Sequence, residues 1–169
     1  MIHSSDLDKA IQSVLNKLPG ISELYPNQRE ILDTLFQHEN IFFTSSTNSG
    51  KTLPTVMFPL VLTELSSAGY DFPSNPKVLF ITALNSLQLS LVSTVKSLGI
   101  DCEAVTSENL PKLLKSEIAV LFISPEVLKL PSVTQTLLLY RSNFVLKVVD
   151  EAHLGKLYSF SGVLRDNSI

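Results

Sequence analysis

The feature that most restricts this chain is an alternation of two hydrophobic periods along its length. Short, nearly unbroken apolar runs take turns with stretches whose apolar residues recur every three or four positions. The runs are Ile41-Phe42-Phe43-Thr44, Lys77 to Thr82, Cys102 to Val105, Ile118 to Ile123 and Phe144 to Val149. Runs this short, apolar at consecutive positions, suit strands buried on two faces, as in a parallel sheet. Between them, Leu84, Leu87, Leu91, Val95 and Leu98 follow at spacings of 3, 4, 4 and 3, one stripe of a helix that Gly99 stops. Glu108 to Leu114 predicts a short helix, and Pro125 to about Tyr140 a longer one broken near Pro131. Strand and helix in alternation imply crossover connections and an α/β domain, its mainly parallel sheet covered by helices on both faces. Ligands of such sheets bind at the carboxyl ends of the strands.

Two helices come before the first strand. Ser4 or Ser5 can cap one that carries Leu7, Ile11, Val14, Leu15 and Leu18, and Pro19-Gly20 ends it. The second begins near Pro26 with Ile31, Leu32, Leu35 and Phe36 on its inner face. Tyr70 to Pro76 reads as a loop. A chain of 169 residues, 44% hydrophobic and 17% charged, suits one globular domain with a real core. A net charge of −3 argues against general coating of nucleic acid and leaves room for a local phosphate-binding groove. One cysteine, Cys102, excludes an internal disulfide, fits a reducing compartment and reads as a small buried side chain. Asp6 and Asp8 stand where a secretory leader needs positive and then apolar residues. Leu53 to Leu62 is too short to span a bilayer and contains Pro54 and Pro59, and polar residues interrupt Val78 to Val95. The expectation is a soluble, intracellular protein without a membrane partner, nuclear in a eukaryote and cytoplasmic otherwise.

Two segments carry chemistry. Ser45-Ser46-Thr47-Asn48-Ser49-Gly50-Lys51-Thr52 follows the first apolar run and opens a helix. A nucleoside triphosphate needs backbone N–H groups converging on its phosphates, an ammonium for the β/γ charge and a hydroxyl for magnesium. Thr47, Asn48, Ser49 and Gly50 can supply the turn, Lys51 the cation and Thr52 the metal-bound hydroxyl. Ser45 replaces the usual first glycine of this loop. The alternative is a plain capped helix start. The second segment, Val148-Val149-Asp150-Glu151-Ala152-His153, leaves the carboxyl end of the last strand. There Asp150 can hold magnesium and Glu151 can orient and deprotonate an attacking water. The alternative, a solvated acidic pair after an edge strand, sits poorly with so apolar a run beside a compatible phosphate loop.

Gly-Lys-Thr followed by Asp-Glu-Ala-His resembles motifs I and II of superfamily 2 helicases, with 99 residues from Lys51 to Asp150, a spacing that suits one RecA-like lobe. Three further segments are similar to the RecQ group. Leu24-Tyr25-Pro26-Asn27-Gln28 resembles the stretch in which a glutamine reads the adenine edge; the resemblance implies that role for Gln28 and stacking for Tyr25, the alternative for Gln28 being an exposed first-turn residue. Ile81 to Leu87 resembles motif Ia, and Ile123-Ser124-Pro125-Glu126-Val127-Leu128 resembles the Ala-Pro-Glu-Arg-Leu segment. These imply nucleic-acid contacts at Leu84, Asn85, Ser124, Pro125 and Glu126, with ordinary helix caps as the alternative, and a coupling role for His153.

The resemblance thus implies a RecA-like P-loop NTPase lobe of a 3′–5′ DNA helicase using ATP and Mg2+, acting on single-stranded or tailed duplex DNA. Residues 1–20 would lead into the lobe and 21–169 would form it, cut before motif III and before the second lobe that supplies an arginine finger. Other superfamily 2 motors, an RNA helicase or a restriction translocase, are rivals, as is a truncated nucleotide or nucleic-acid binding module. Tyr158 and Phe160 follow the acidic box, but the chain has no tryptophan for the aromatic loop of that family.

Overall fold

Among the residues the structure describes, four parallel strands form one sheet in the order β2-β3-β1-β4. They are β1 (Lys77–Ile81), β2 (Cys102–Ala104), β3 (Val120–Ile123) and β4 (Phe144–Val149). The structure, a computed structural model, describes residues 2–37, 50–82 and 85–149, with the backbone alone at 85–87. The expected strand Ile41-Phe42-Phe43-Thr44 lies outside the described residues. The helices are α1 (Ser4–Leu15), α2 (Pro26–Phe36), α3 (Thr52–Ser67), α4 (Asn85–Ser97), α5 (Leu110–Lys115), α6 (Pro125–Leu128) and α7 (Pro131–Leu139).

Period-two burial explains the layering. In β1, Val78 and Phe80 join one core cluster while Leu79 and Ile81 join another. β3 splits the same way, Val120 and Phe122 against Leu121 and Ile123. The first cluster holds apolar residues of α1, α2, α3 and α4, and the second those of α5, α6 and α7. Helices therefore cover both faces, as a buried parallel sheet requires. Within the first cluster the Phe80 and Phe122 rings lie 5.0 Å apart, and Phe36 meets Phe58 edge to face at 5.0 Å. The run Leu53 to Leu62 lies within α3, nine of whose residues are buried, Pro59 among them. No helix among the described residues is long and apolar enough to cross a membrane.

Several boundaries differ from expectation, each for a local reason. Ser4 and Ser5 do not cap α1; His3 takes the cap position with extended backbone, and its carbonyl accepts the N–H groups of Asp6 and Leu7 at 3.0 and 3.1 Å. α5 begins at Leu110 rather than Glu108 because Thr106 and Asn109 bond reciprocally, backbone N–H to side-chain oxygen, at 2.8 and 3.2 Å. That closes a turn ahead of the helix. β3 begins at Val120 rather than Ile118. The carbonyls of Ser116 and Ile118 instead accept from the buried Lys77 ammonium at 2.9 and 2.8 Å. The break at Pro131 falls where expected, with that proline opening α7.

Candidate functional site

Gly50, two residues before α3, meets the start of α2 through a hydrogen bond from Gln28. Gly50 has a φ of +69°, a left-handed conformation that glycine adopts without strain. Lys51 caps α3, and Thr52 is its first residue, so the ammonium and the hydroxyl stand at a helix N-terminus. That end of a helix offers unpaired N–H groups and positive potential to an anion. Thr47, Asn48 and Ser49 lie outside the described residues, as do Asp150, Glu151 and His153.

Gln28 reaches this loop from 22 residues away. Its Nε2 donates to the Gly50 carbonyl at 3.1 Å, and its Oε1 accepts the Tyr25 backbone N–H at 3.0 Å. The two partners fix the orientation of the amide, because a carbonyl can only accept and an N–H can only donate. Gln28 is 4% exposed, so it is not the exposed first-turn residue that was the alternative. The contact with the Gly50 carbonyl, which also accepts Leu53 N–H at 3.3 Å, ties α2 to the helix that carries Lys51 and Thr52. Tyr25, at the cap of α2, is 69% exposed, a free aromatic face beside Gln28.

The other expected contacts divide. Leu84 lies outside the described residues, and Asn85 is the first residue of α4. Ser124 is buried, and its Oγ accepts Val127 N–H at 3.3 Å as the cap of α6. Pro125 is buried as well, and Glu126 alone of the three is exposed. The cap reading thus describes the Ser124 side chain. A cavity of about 230 Å³ lies elsewhere, at the amino ends of β2 and β3, lined by residues including Leu18, Glu64, Ile100 and Glu117. Cys102 is buried with its Sγ 3.5 Å from the Val92 carbonyl, and burial pushes its thiol up to about 11, which makes it a packing residue rather than a nucleophile.

Sequence reasoning passed over two groups. The Thr82 hydroxyl and the Gln88 amide nitrogen are buried without a hydrogen-bond partner. The signal for Thr82 was available, since it continues the period-two face of Val78 and Phe80 with a polar side chain.

A parallel sheet covered on both faces, with a Gly-Lys-Thr turn opening a helix, defines a RecA-like α/β domain. The profile of DEAD/DEAH box helicases matches residues 25–166, and the chain belongs to that family. Its fold is similar to the crystal structure of the DUF1998 helicase MrfA, with a TM-score of 0.55 at 17% identity. That similarity covers 94% of this chain and 32% of the MrfA chain, so this chain spans about a third of that protein. No curated protein matches the sequence.

Proposed function

We propose that this chain is the ATP-binding lobe of a RecQ-like 3′–5′ DNA helicase, and that Gln28, Lys51 and Thr52 hold the nucleotide. The observation that carries the reading is the bond from Gln28 to Gly50, which joins a base-reading side chain to the residue before the phosphate cation. A carboxamide has two N–H donors and an oxygen with two lone pairs. Gln28 uses one of each within the protein, on Gly50 and Tyr25. One donor and one acceptor remain, which matches the adenine edge and opposes that of guanine. Tyr25 would stack on the ring.

The residues present fit a magnesium nucleotide. Lys51 would neutralise β/γ charge, the backbone of Thr47, Asn48, Ser49 and Gly50 would line the phosphates, and Thr52 and Asp150 would hold the metal. Bound magnesium would supply charge neutralisation at the phosphates. Glu151 would orient and deprotonate the attacking water, and His153 would couple that state to the nucleic-acid surface near Leu84, Asn85, Ser124, Pro125 and Glu126. Residues 21–169 would be one lobe, working against a second RecA-like lobe in the whole protein. The RecQ assignment is supported by the segments Leu24 to Gln28 and Ile123 to Leu128.

Binding of a fluorescent ATP analogue tests the site. Lys51→Ala should weaken it at least tenfold, and ATP should compete better than GTP, with Gln28→Ala narrowing the difference. Equal affinity of Lys51→Ala and wild type would remove the phosphate site. Stimulation of ATP turnover by single-stranded RNA, and not by DNA, would replace the RecQ reading with an RNA motor.

A further inference from the structure

The cavity of about 230 Å³ at the amino ends of β2 and β3 has no part in the nucleotide reading. Its floor is apolar. Leu18 comes from just after α1, Leu60 from α3, and Ile100 and Ala119 from the residues before β2 and β3. Leu18, Ile100 and Ala119 are buried, and Leu60 is half-buried. Most small-molecule sites enclose roughly 300–1,000 Å³, so a space of this size suits one long side chain instead.

Charge at the rim decides which side chain. The ionisable groups lining the cavity are Lys17, Glu64, Asp101 and Glu117. Glu64 is already engaged, accepting from the Lys17 ammonium and, at 2.7 Å, from the Ser13 hydroxyl. Asp101 and Glu117 are exposed and, among the described residues, form no ion pair. The cations that feel their charge are committed elsewhere: Lys96 donates to Glu103 at 3.1 Å, and the buried Lys77 ammonium donates to the Ser116 and Ile118 carbonyls. Cys102 lies opposite Val120 in the parallel pair, so Asp101 enters β2 beside the segment that carries Glu117 into β3. Among the described residues no three His, Cys, Asp or Glu side chains are grouped as metal ligands, which favours an organic cation over a metal ion.

We propose that this cavity is an anchor site for an arginine side chain of a partner polypeptide. The methylenes of the arginine lie along Leu18, Leu60, Ile100 and Ala119, and its guanidinium reaches the rim at Asp101 and Glu117. A long basic side chain buries its stem on apolar surface while its charged head stays in water. The planar fork of guanidinium donors serves two carboxylates at once with fixed geometry, whereas the ammonium of lysine acts as a point charge. Arginine is also among the residues that most often anchor protein interfaces. Leu60 lies nine residues along α3 from Lys51, about 13 Å of helix, so the anchor does not overlap the residues of the nucleotide reading.

The test is a magnetic-resonance titration of the isotope-labelled 169-residue chain with the capped peptide acetyl-Gly-Arg-Gly-amide at low ionic strength. The peptide should shift the backbone amides of Gly99, Ile100, Asp101 and Glu117 saturably, with a dissociation constant on the order of a millimolar, as one anchoring side chain supplies. The same peptide with citrulline, similar in shape and uncharged, should bind about tenfold weaker, and the lysine peptide about threefold weaker. Asp101→Asn combined with Glu117→Gln should weaken the arginine peptide about tenfold as well. Both side chains are exposed, so the variant keeps the fold. Free arginine, whose α-carboxylate meets an acidic rim, should bind no better than the peptide. The proposal is overturned if no saturable shift occurs at these residues, if citrulline or lysine serves as well as arginine, or if the double variant binds unchanged. Tighter binding of free arginine than of the peptide rejects a polypeptide partner in favour of the amino acid.

Discussion

A side chain at position 50 would meet two obstacles, one in the backbone and one in space. The φ of +69° costs an L-residue about 1 kcal/mol relative to glycine. A Cβ there would also collide with the Gln28 amide nitrogen, which already donates to the Gly50 carbonyl. Gly50→Ala should therefore lose roughly 2–3 kcal/mol, one part from φ and one from displacing a buried hydrogen bond. In Gln28→Ala the collision is gone, so adding Gly50→Ala should cost about 1 kcal/mol less than it does in wild type. Urea denaturation of the four proteins measures this coupling. Additive losses would mean that Gln28 and Gly50 do not act as a unit. The turn at Gly50 and the helix opening at Thr52 were legible in the sequence, because residue types and order carry them. The link to Gln28 was not. A glutamine in a helix's first turn is commonplace, and only folding brings it to a loop 22 residues on.

Among the elements, β1 is the most revealing, because it begins on a buried lysine. Lys77 has no exposed surface, and its ammonium donates to the Ser116 and Ile118 carbonyls at the foot of β3. Nearby, Asn75 Nδ2 also donates to the Ser116 carbonyl, at 3.1 Å, and Asn143 Nδ2 donates to Asn75 O at 3.2 Å. These bonds tie together the starts of three parallel strands. Periodicity could not foretell them, since a lysine at a strand's first position reads as its solvated end. Burial lowers the Lys77 pKa from its ordinary 10.5, with Glu117 opposing. The folded chain then gives up this proton at a lower pH than the unfolded chain does. Between the folded value and 10.5 the unfolded chain binds more protons, so the contribution of Lys77 to stability rises with pH across that window and is lost as pH falls through it. Lys77→Met removes the effect and leaves Cys102 unchanged in both proteins. Wild type should gain on Lys77→Met in urea midpoint as pH climbs from 7 toward 10.5. Parallel midpoints throughout would show that the ammonium is not desolvated in the fold.

At the scale of the whole molecule, the alternation of periods foretold an α/β domain with helices on both faces, and the structure has it. The lateral order β2-β3-β1-β4 was not legible, because hydrophobic period reports how deeply a strand is buried and not which strand lies beside it. That order has an energetic consequence. β1 and β3 are neighbours, and each sends alternate residues into both core clusters. Neither face can keep its strands in place once the other has lost its packing, so the two clusters should unfold together. Leu62→Ala on α3 and Leu114→Ala on α5 probe the opposite faces, at side chains 2% and 1% exposed. Each should cost about 2–5 kcal/mol through lost burial and the cavity left behind. Each should shift one common transition, with helical circular dichroism and tyrosine fluorescence reporting the same midpoint and slope. The double variant should lose the sum of the two to within about 0.5 kcal/mol, since the side chains share no contact across the sheet. For a domain of ordinary stability, on the order of 5–15 kcal/mol, that sum approaches the whole, and the double variant should be largely unfolded near physiological temperature. A biphasic transition, in which Leu62→Ala moves one phase and Leu114→Ala the other, would show two separately folding layers and would contradict the shared-strand account of this sheet.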